Sequence, residues 1–206
     1  MIYILTGGPA TGKGTRSDIL SDALHIPHIS TGDILREESK RNEEMANALS
    51  RGELISDQTI TRLLEERISQ SDCVKGFILD GYPRTLKQVS LLNELLDKKG
   101  VKIDRVIELT VPDELAFKRI LERKQCGKCG RMYGIDFPPK VEDVCDDCGG
   151  KLSVRTDDTK ETLKKRIDTY KENSKEILEY YRNVGLLKTV DASSHPENIV
   201  VEATEE

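Results

Sequence analysis

An apolar run, Met1-Ile2-Tyr3-Ile4-Leu5, leads almost directly into Gly7-Gly8-Pro9-Ala10-Thr11-Gly12-Lys13-Gly14-Thr15. A buried strand, a tight glycine-rich turn and then a helical pattern restrict the chain to folds in which a strand ends over a helix N-terminus. Small residues let the backbone close around an anion with its N–H groups turned inward, and the helix dipole adds positive potential. The pattern is close to the phosphate loop G-x-x-x-x-G-K-[ST], with the hydroxyl one place late, at Thr15. The backbone of Gly8, Ala10, Thr11, Gly12 and Gly14 forms the expected cradle. Lys13 is assigned to the β- and γ-phosphates and Thr15 to the helix start. A lone glycine pair between a strand and a helix is often only a turn; the lysine and hydroxyl in register argue for nucleotide binding.

The rest of the chain alternates in the same way. Strands are expected at Ile2–Leu5, Gly76–Asp80, Arg105–Thr110 and Leu186–Val190, with a short extended piece at Pro27–Ser30. Helical patterns fill Thr15–His25, Ser30–Ser50, Asp57–Gln70, Arg84–Lys99, Pro112–Lys124, Asp158–Val184 and Glu197–Ala203, and Asp158 to Glu161 reads as a capping box. This order predicts an α/β fold built on a doubly wound parallel sheet.

One segment breaks the rhythm. Residues 125–154 carry Cys126 and Cys129, then Cys145 and Cys148, two C-x-x-C pairs separated by fifteen residues and each followed by glycine. Four thiolates at this spacing make a closed tetrahedral site, which predicts structural zinc, with iron as another thiolate-binding choice. Two separate redox pairs are the alternative, but neither pair lies at a strand–helix junction. The segment is too short for an apolar core, so metal would supply its folding energy. Cys73 is expected to be a plain, partly buried thiol.

Charged residues make up 33% of the chain, aromatics 4%, and the net charge is −5, a balance that argues against nonspecific nucleic-acid binding. The cysteine segment is itself slightly acidic, with Lys128, Arg131, Lys140 and Lys151 against Asp136, Glu142, Asp143, Asp146 and Asp147. That disfavours a zinc-ribbon binding module. No stretch approaches a membrane span and no signal peptide is read, so a cytoplasmic protein with no membrane partner is expected. Asp80, at the end of a buried strand, is a candidate Mg²⁺ contact. Arg119 and Arg123 share a helix face, and Arg155 and Arg166 flank the next helix start. Planar guanidinium forks in that number suit two polyphosphates meeting end to end.

Four stretches together carry a family resemblance: residues 7–15, Ser30-Thr31-Gly32-Asp33-Ile34-Leu35-Arg36, Leu79-Asp80-Gly81-Tyr82-Pro83-Arg84-Thr85, and Arg155-Thr156-Asp157-Asp158. In order and spacing they resemble adenylate kinase, and the cysteine segment resembles the zinc-bearing form of that family's long lid. The resemblance implies a nucleoside-monophosphate kinase fold with two mobile inserts: a core of 1–29, 56–121 and 159–206, an AMP-binding insert at 30–55 and a lid at 122–158. It implies reversible phosphoryl transfer between MgATP and AMP, with ADP as product, in a monomer. It assigns Thr31, Arg36, Gly81, Tyr82, Pro83, Arg84 and Gln88 to AMP, with Glu53, Leu54 and Ile55 along its adenine. Lys13, Asp80, Arg84, Arg119, Arg123, Arg155 and Arg166 would serve the phosphates and catalysis, Arg155 and Arg166 reaching AMP as well. Met132, Tyr133 and the backbone of Ser194 would contact ATP. A kinase for UMP or CMP is the nearest alternative, and Thr31, Gln88 and the long lid favour AMP. The chain departs from the family in three places. Ala10 stands where glycine is usual and is expected at negative φ. Gly134 replaces a polar lid residue, and the AMP insert is about one helical turn short.

Overall fold

The computed structural model describes residues 1–50, 55–154 and 160–205. Five strands, β1 (Ile2–Gly7), β2 (His28–Ser30), β3 (Phe77–Asp80), β4 (Arg105–Thr110) and β8 (Leu187–Asp191), form one sheet in the order β2-β3-β1-β4-β8. Every pairing in it is parallel, with Ile4 beside Leu79 on one side and Val106 on the other. Alternate side chains serve opposite faces. Ile2, Ile4, Leu79 and Val106 pack under helices α4 (Asp57–Ile68), α5 (Leu86–Lys98) and α7 (Lys160–Asn183), through Leu64, Leu92, Leu96, Ile177 and Tyr181. Tyr3, Leu5, Ile78, Ile107 and Val190 pack under α1 (Lys13–Leu24) and α8 (Ile199–Thr204), through Leu20, Ile199 and Ala203. This is the expected doubly wound sheet. The connections leaving β1 and β4 run in opposite directions, so their carboxyl ends open the crevice where such sheets bind ligands.

Several boundaries differ from expectation. β1 runs on to Gly7 and α1 starts at Lys13, so the phosphate loop is shorter than the glycine run implies. The pattern at 30–50 divides into α2 (Thr31–Ser39) and α3 (Glu43–Ser50), where Asn42 Oδ1 accepts the Met45 N–H at 3.0 Å and starts a new helix. Helix α6 is Asp113–Leu121, with Pro112 as its N-cap. Lys124–Cys126 then leaves it as β5, joined by β6 (Met132–Tyr133) and β7 (Leu152–Ser153) into an antiparallel sheet. The sequence carried no period there because the strands are only two or three residues long. The final helix begins as a 3₁₀ turn at Pro196–Asn198. Asp158 and Thr159 of the expected capping box lie outside the described residues.

Candidate active site

The loop after β1 wraps tightly. Gly7 and Gly12 take φ of 149° and 78°, and a Cβ on Gly12 would fall 2.6 Å from Arg16 Nη1. Ala10 is the correction here: its φ is 61°, not negative. Its methyl packs against Ile120, Leu163 and Ile167 of α6 and α7, a contact that offsets the left-handed backbone. Lys13 Nζ donates to the carbonyls of Gly7 at 2.8 Å and Gly8 at 2.9 Å, folding back over the loop. Thr11 Oγ1 donates to Gly8 O at 2.9 Å. Burial lowers the Lys13 pKa to about 8, against the attraction of Asp80; the charges of Arg84, Arg166 and Arg123 push it further down. One lysine, one carboxylate and three arginines therefore share a field at the loop.

Asp80 ends β3 with a carboxylate oxygen 3.9 Å from where a Cβ on Gly14 would stand. Its other neighbour was not foreseen. His28 Nε2 lies 3.6 Å from Asp80 Oδ2, while His28 Nδ1 meets Asp18 Oδ1 at 2.7 Å. Thr31 is buried and its hydroxyl donates to Asp80 O at 3.2 Å, tying the start of α2 to the end of β3.

The β3–α5 turn gathers the second group. Arg84 Nε donates to Gly81 O at 2.7 Å, and Gln88 Oε1 accepts the Arg84 backbone N–H at 2.6 Å. Gln88 Nε2 donates to Asp57 Oδ1 at 2.8 Å. Buried Tyr82 shares a 2.8 Å hydroxyl contact with Thr61, and Pro83 is buried beside it. Thr85 starts α5 by accepting the Gln88 N–H at 3.1 Å. Arg36 lies exposed on α2 and pairs with Asp33. Ile55 is half-buried just before the Ser56 cap of α4. Glu53, Leu54 and Arg155 lie outside the described residues.

Arg119 and Arg123 part company. Arg123 bears on Lys13, whereas Arg119 faces Arg16 and Asp191 near the loop after β8. Arg16 is the residue the sequence reading missed. It is 1% exposed and donates to Thr11 O at 3.2 Å, Ala192 O at 2.9 Å and Ser194 O at 2.8 Å. Burial brings its pKa down to about 10. A charge three residues after Lys13, on the face that also carries Leu20, was its one visible signal. Ser194 is thus held by its carbonyl, and its hydroxyl donates to Asp191 O at 2.8 Å.

In the 125–154 segment the four cysteine sulfurs all lie within 4.8 Å of one another, with 3.5 Å between Cys126 and Cys148 and between Cys129 and Cys145. Zinc–sulfur bonds of about 2.3 Å in a tetrahedron require sulfurs about 3.8 Å apart, so the donor set fits zinc. Tyr133 turns its ring into this cluster, donating to Cys145 Sγ at 3.4 Å and accepting the Asp146 N–H at 2.7 Å. Its donation holds the Cys145 thiol down at about 6. The Tyr133 side chain therefore walls the cysteine cluster, and Met132 beside it on β6 is half-buried. Buried Cys73 hydrogen-bonds Arg67 and Asp72.

Comparison with known proteins agrees with this arrangement. The family model described as adenylate kinase matches residues 5–186. An adenylate kinase of Archaeoglobus fulgidus is 42% identical over 97% of this chain and 94% of its own length. Adenylate kinases of Caldicellulosiruptor saccharolyticus and Clostridium tetani are 43% and 40% identical, over 92% and 97% of this chain and 90% and 94% of their own lengths. With that match running from β1 to the end of the described lid and beyond, the chain belongs to the adenylate kinase family.

Proposed function

We propose that this chain moves the terminal phosphoryl group of ATP onto AMP, reversibly, to give two ADP. The observation that carries the reading is the convergence of Lys13, Asp80, Arg84, Arg123 and Arg166 on one phosphate loop, in a chain of this family. The acceptor is already an anionic phosphate, so no general base is needed. What the protein must supply is alignment, charge and dryness. Gly8, Ala10, Thr11, Gly12, Gly14 and Thr15 would hold the donor phosphates by backbone N–H groups, and Lys13 would exchange its two carbonyl partners for phosphate oxygens. Arg84 and Arg166, with Arg155, would grip the acceptor phosphate while Arg123 and Arg119 hold the donor. Magnesium, when bound with ATP, would neutralise phosphate charge, and Asp80 would hold it, directly or through water. Zinc on Cys126, Cys129, Cys145 and Cys148 would be structural, since four protein thiolates leave no open position.

Residues 30–55 would bind AMP through Thr31, Arg36, Gln88 and the 81–84 turn. Residues 122–158 would close as a lid over a core of 1–29, 56–121 and 159–206, expelling water that would otherwise hydrolyse ATP. A cytoplasmic monomer fits this reading; no helix among the described residues is long and apolar enough to cross a membrane. The deciding experiment measures ADP from ATP with AMP, UMP or CMP, with metal content determined on the same sample. Production with AMP far above UMP and CMP, and about one zinc per chain, is expected. Equal use of UMP would overturn the acceptor assignment.

A further inference from the structure

We propose that Asp136 is a positioning residue for Arg119, fixing that guanidinium for the donor nucleotide from the lid side. This rests on the phosphoryl-transfer reading above. Arg119 is 7% exposed, and the lid carboxylate Asp136 Oδ2 stands 2.8 Å from its Nε. The oxygen lies off the line of the N–H, so Arg119 Nε and Nη1 have no aligned hydrogen-bond partner among the described residues. Asp136 thus balances the charge but leaves donors open. A buried guanidinium with open donors is costly until an acceptor fills them. A nucleotide beside it would supply those acceptors.

The surroundings explain why a carboxylate is needed. Arg16, Arg119, Asp136 and Asp191 act on one another as a charge cluster next to the 191–195 loop. Without Asp136, two guanidinium groups face each other with Asp191 as the remaining anion, and repulsion turns Arg119 away. The backbone holds Asp136 in place. Gly134 and Phe137 exchange N–H···O bonds of 3.1 and 3.2 Å, a tight turn with Ile135 and Asp136 at its tip. The Phe137 ring then meets His195 edge-on, 6.0 Å between centroids. An ordinary surface ion pair would be worth little, but here one partner is buried and the other is delivered by a braced turn.

The test is steady-state kinetics on the wild type, Asp136→Asn, Asp136→Glu, Arg119→Lys and the Asp136→Asn/Arg119→Lys double variant. Asp136 is largely on the surface, so folding, checked by far-UV circular dichroism, is expected to be intact. Asp136→Asn should raise KM for ATP about tenfold and leave KM for AMP unchanged, with kcat within about twofold. Asp136→Glu should recover most of the loss, and the asparagine change should add less than about twofold in the Arg119→Lys background. An unchanged KM for ATP in Asp136→Asn, an equal rise for AMP, or a full penalty persisting without Arg119 each overturns the inference. If the wild type itself makes no ADP from ATP and AMP, the functional reading falls and takes this one with it. An active wild type matched by Asp136→Asn sinks the positioning role alone.

Discussion

His28 and Asp80 face each other across neighbouring strand ends, Nε2 to Oδ2 at 3.6 Å, with Asp18 closing the other side of the imidazole. Burial would lower the His28 pKa, but contacts with Asp18 and Asp80 outweigh it and raise the value to about 9. The folded protein thus binds this proton more tightly than the unfolded chain. The stabilisation is complete below about pH 6.5, the unfolded value, and is lost as pH rises toward 9. Urea unfolding of the metal-chelated, nucleotide-free protein at pH 6.5 and 9.5 should show a loss of up to about 3 kcal/mol from this group. His28→Gln should flatten that slope. A slope unchanged in the variant would show that the imidazole is not its source.

Lys13→Met should lower kcat/KM by about three orders of magnitude while leaving the circular dichroism spectrum intact. The lysine's present partners are two loop carbonyls and no core side chain, so the fold is expected to persist. Arg123→Ala should behave alike. Near-normal turnover in either variant would remove that residue from the phosphate site.

Stripping the metal should loosen the lid and spare the core. Among the described residues of the cysteine segment, the buried apolar cluster is Cys126, Tyr133, Cys145 and Leu152, too little to hold three short strands alone. After chelation, tryptic cleavage at Lys128, Arg131, Lys140 or Lys151 should accelerate at least about tenfold, and Cys145→Ser should reproduce the effect. Equal cleavage rates with and without metal would contradict a structural role.

Ala10→Gly tests the strained loop. Glycine relieves the left-handed backbone, worth about 1 kcal/mol, but surrenders the methyl contact with Ile120, Leu163 and Ile167 and adds freedom to the unfolded chain. The terms nearly cancel, so denaturant midpoints should place the change within about 1 kcal/mol of the wild type. Ala10→Val, β-branched at φ 61°, should lose more than about 2 kcal/mol. A large gain from glycine would mean that the methyl contact contributes nothing.

What was legible in the sequence is what is local. The strand β1 with its loop and the two C-x-x-C pairs each declare themselves within a few residues. The apolar run Ile2–Leu5 read as a buried strand, and the alternation of strand and helix patterns after it predicted the parallel sheet. What escaped reading depends on partners far along the chain. Arg16 was not singled out because its acceptors, Ala192 and Ser194, come from the far end of the chain. The positive φ at Ala10 is that of a position where the family usually has glycine, and its methyl finds a packing site on α6 and α7 that lies far along the chain. The Tyr133 ring follows the sulfur cluster because its hydroxyl finds Cys145 and the Asp146 N–H there.

The guanidinium of Arg16 has a consequence for biosynthesis. It emerges from the ribosome 176 residues before Ala192 does. Until β8 docks, the charge beneath the phosphate loop has lost two of its three carbonyl acceptors, and burying it is unfavourable. The nascent chain cannot complete its nucleotide cradle early, however soon β1 and α1 are made. A chain arrested before residue 192 would carry every residue of the phosphate loop and still lack two of the carbonyls that anchor the guanidinium beneath it.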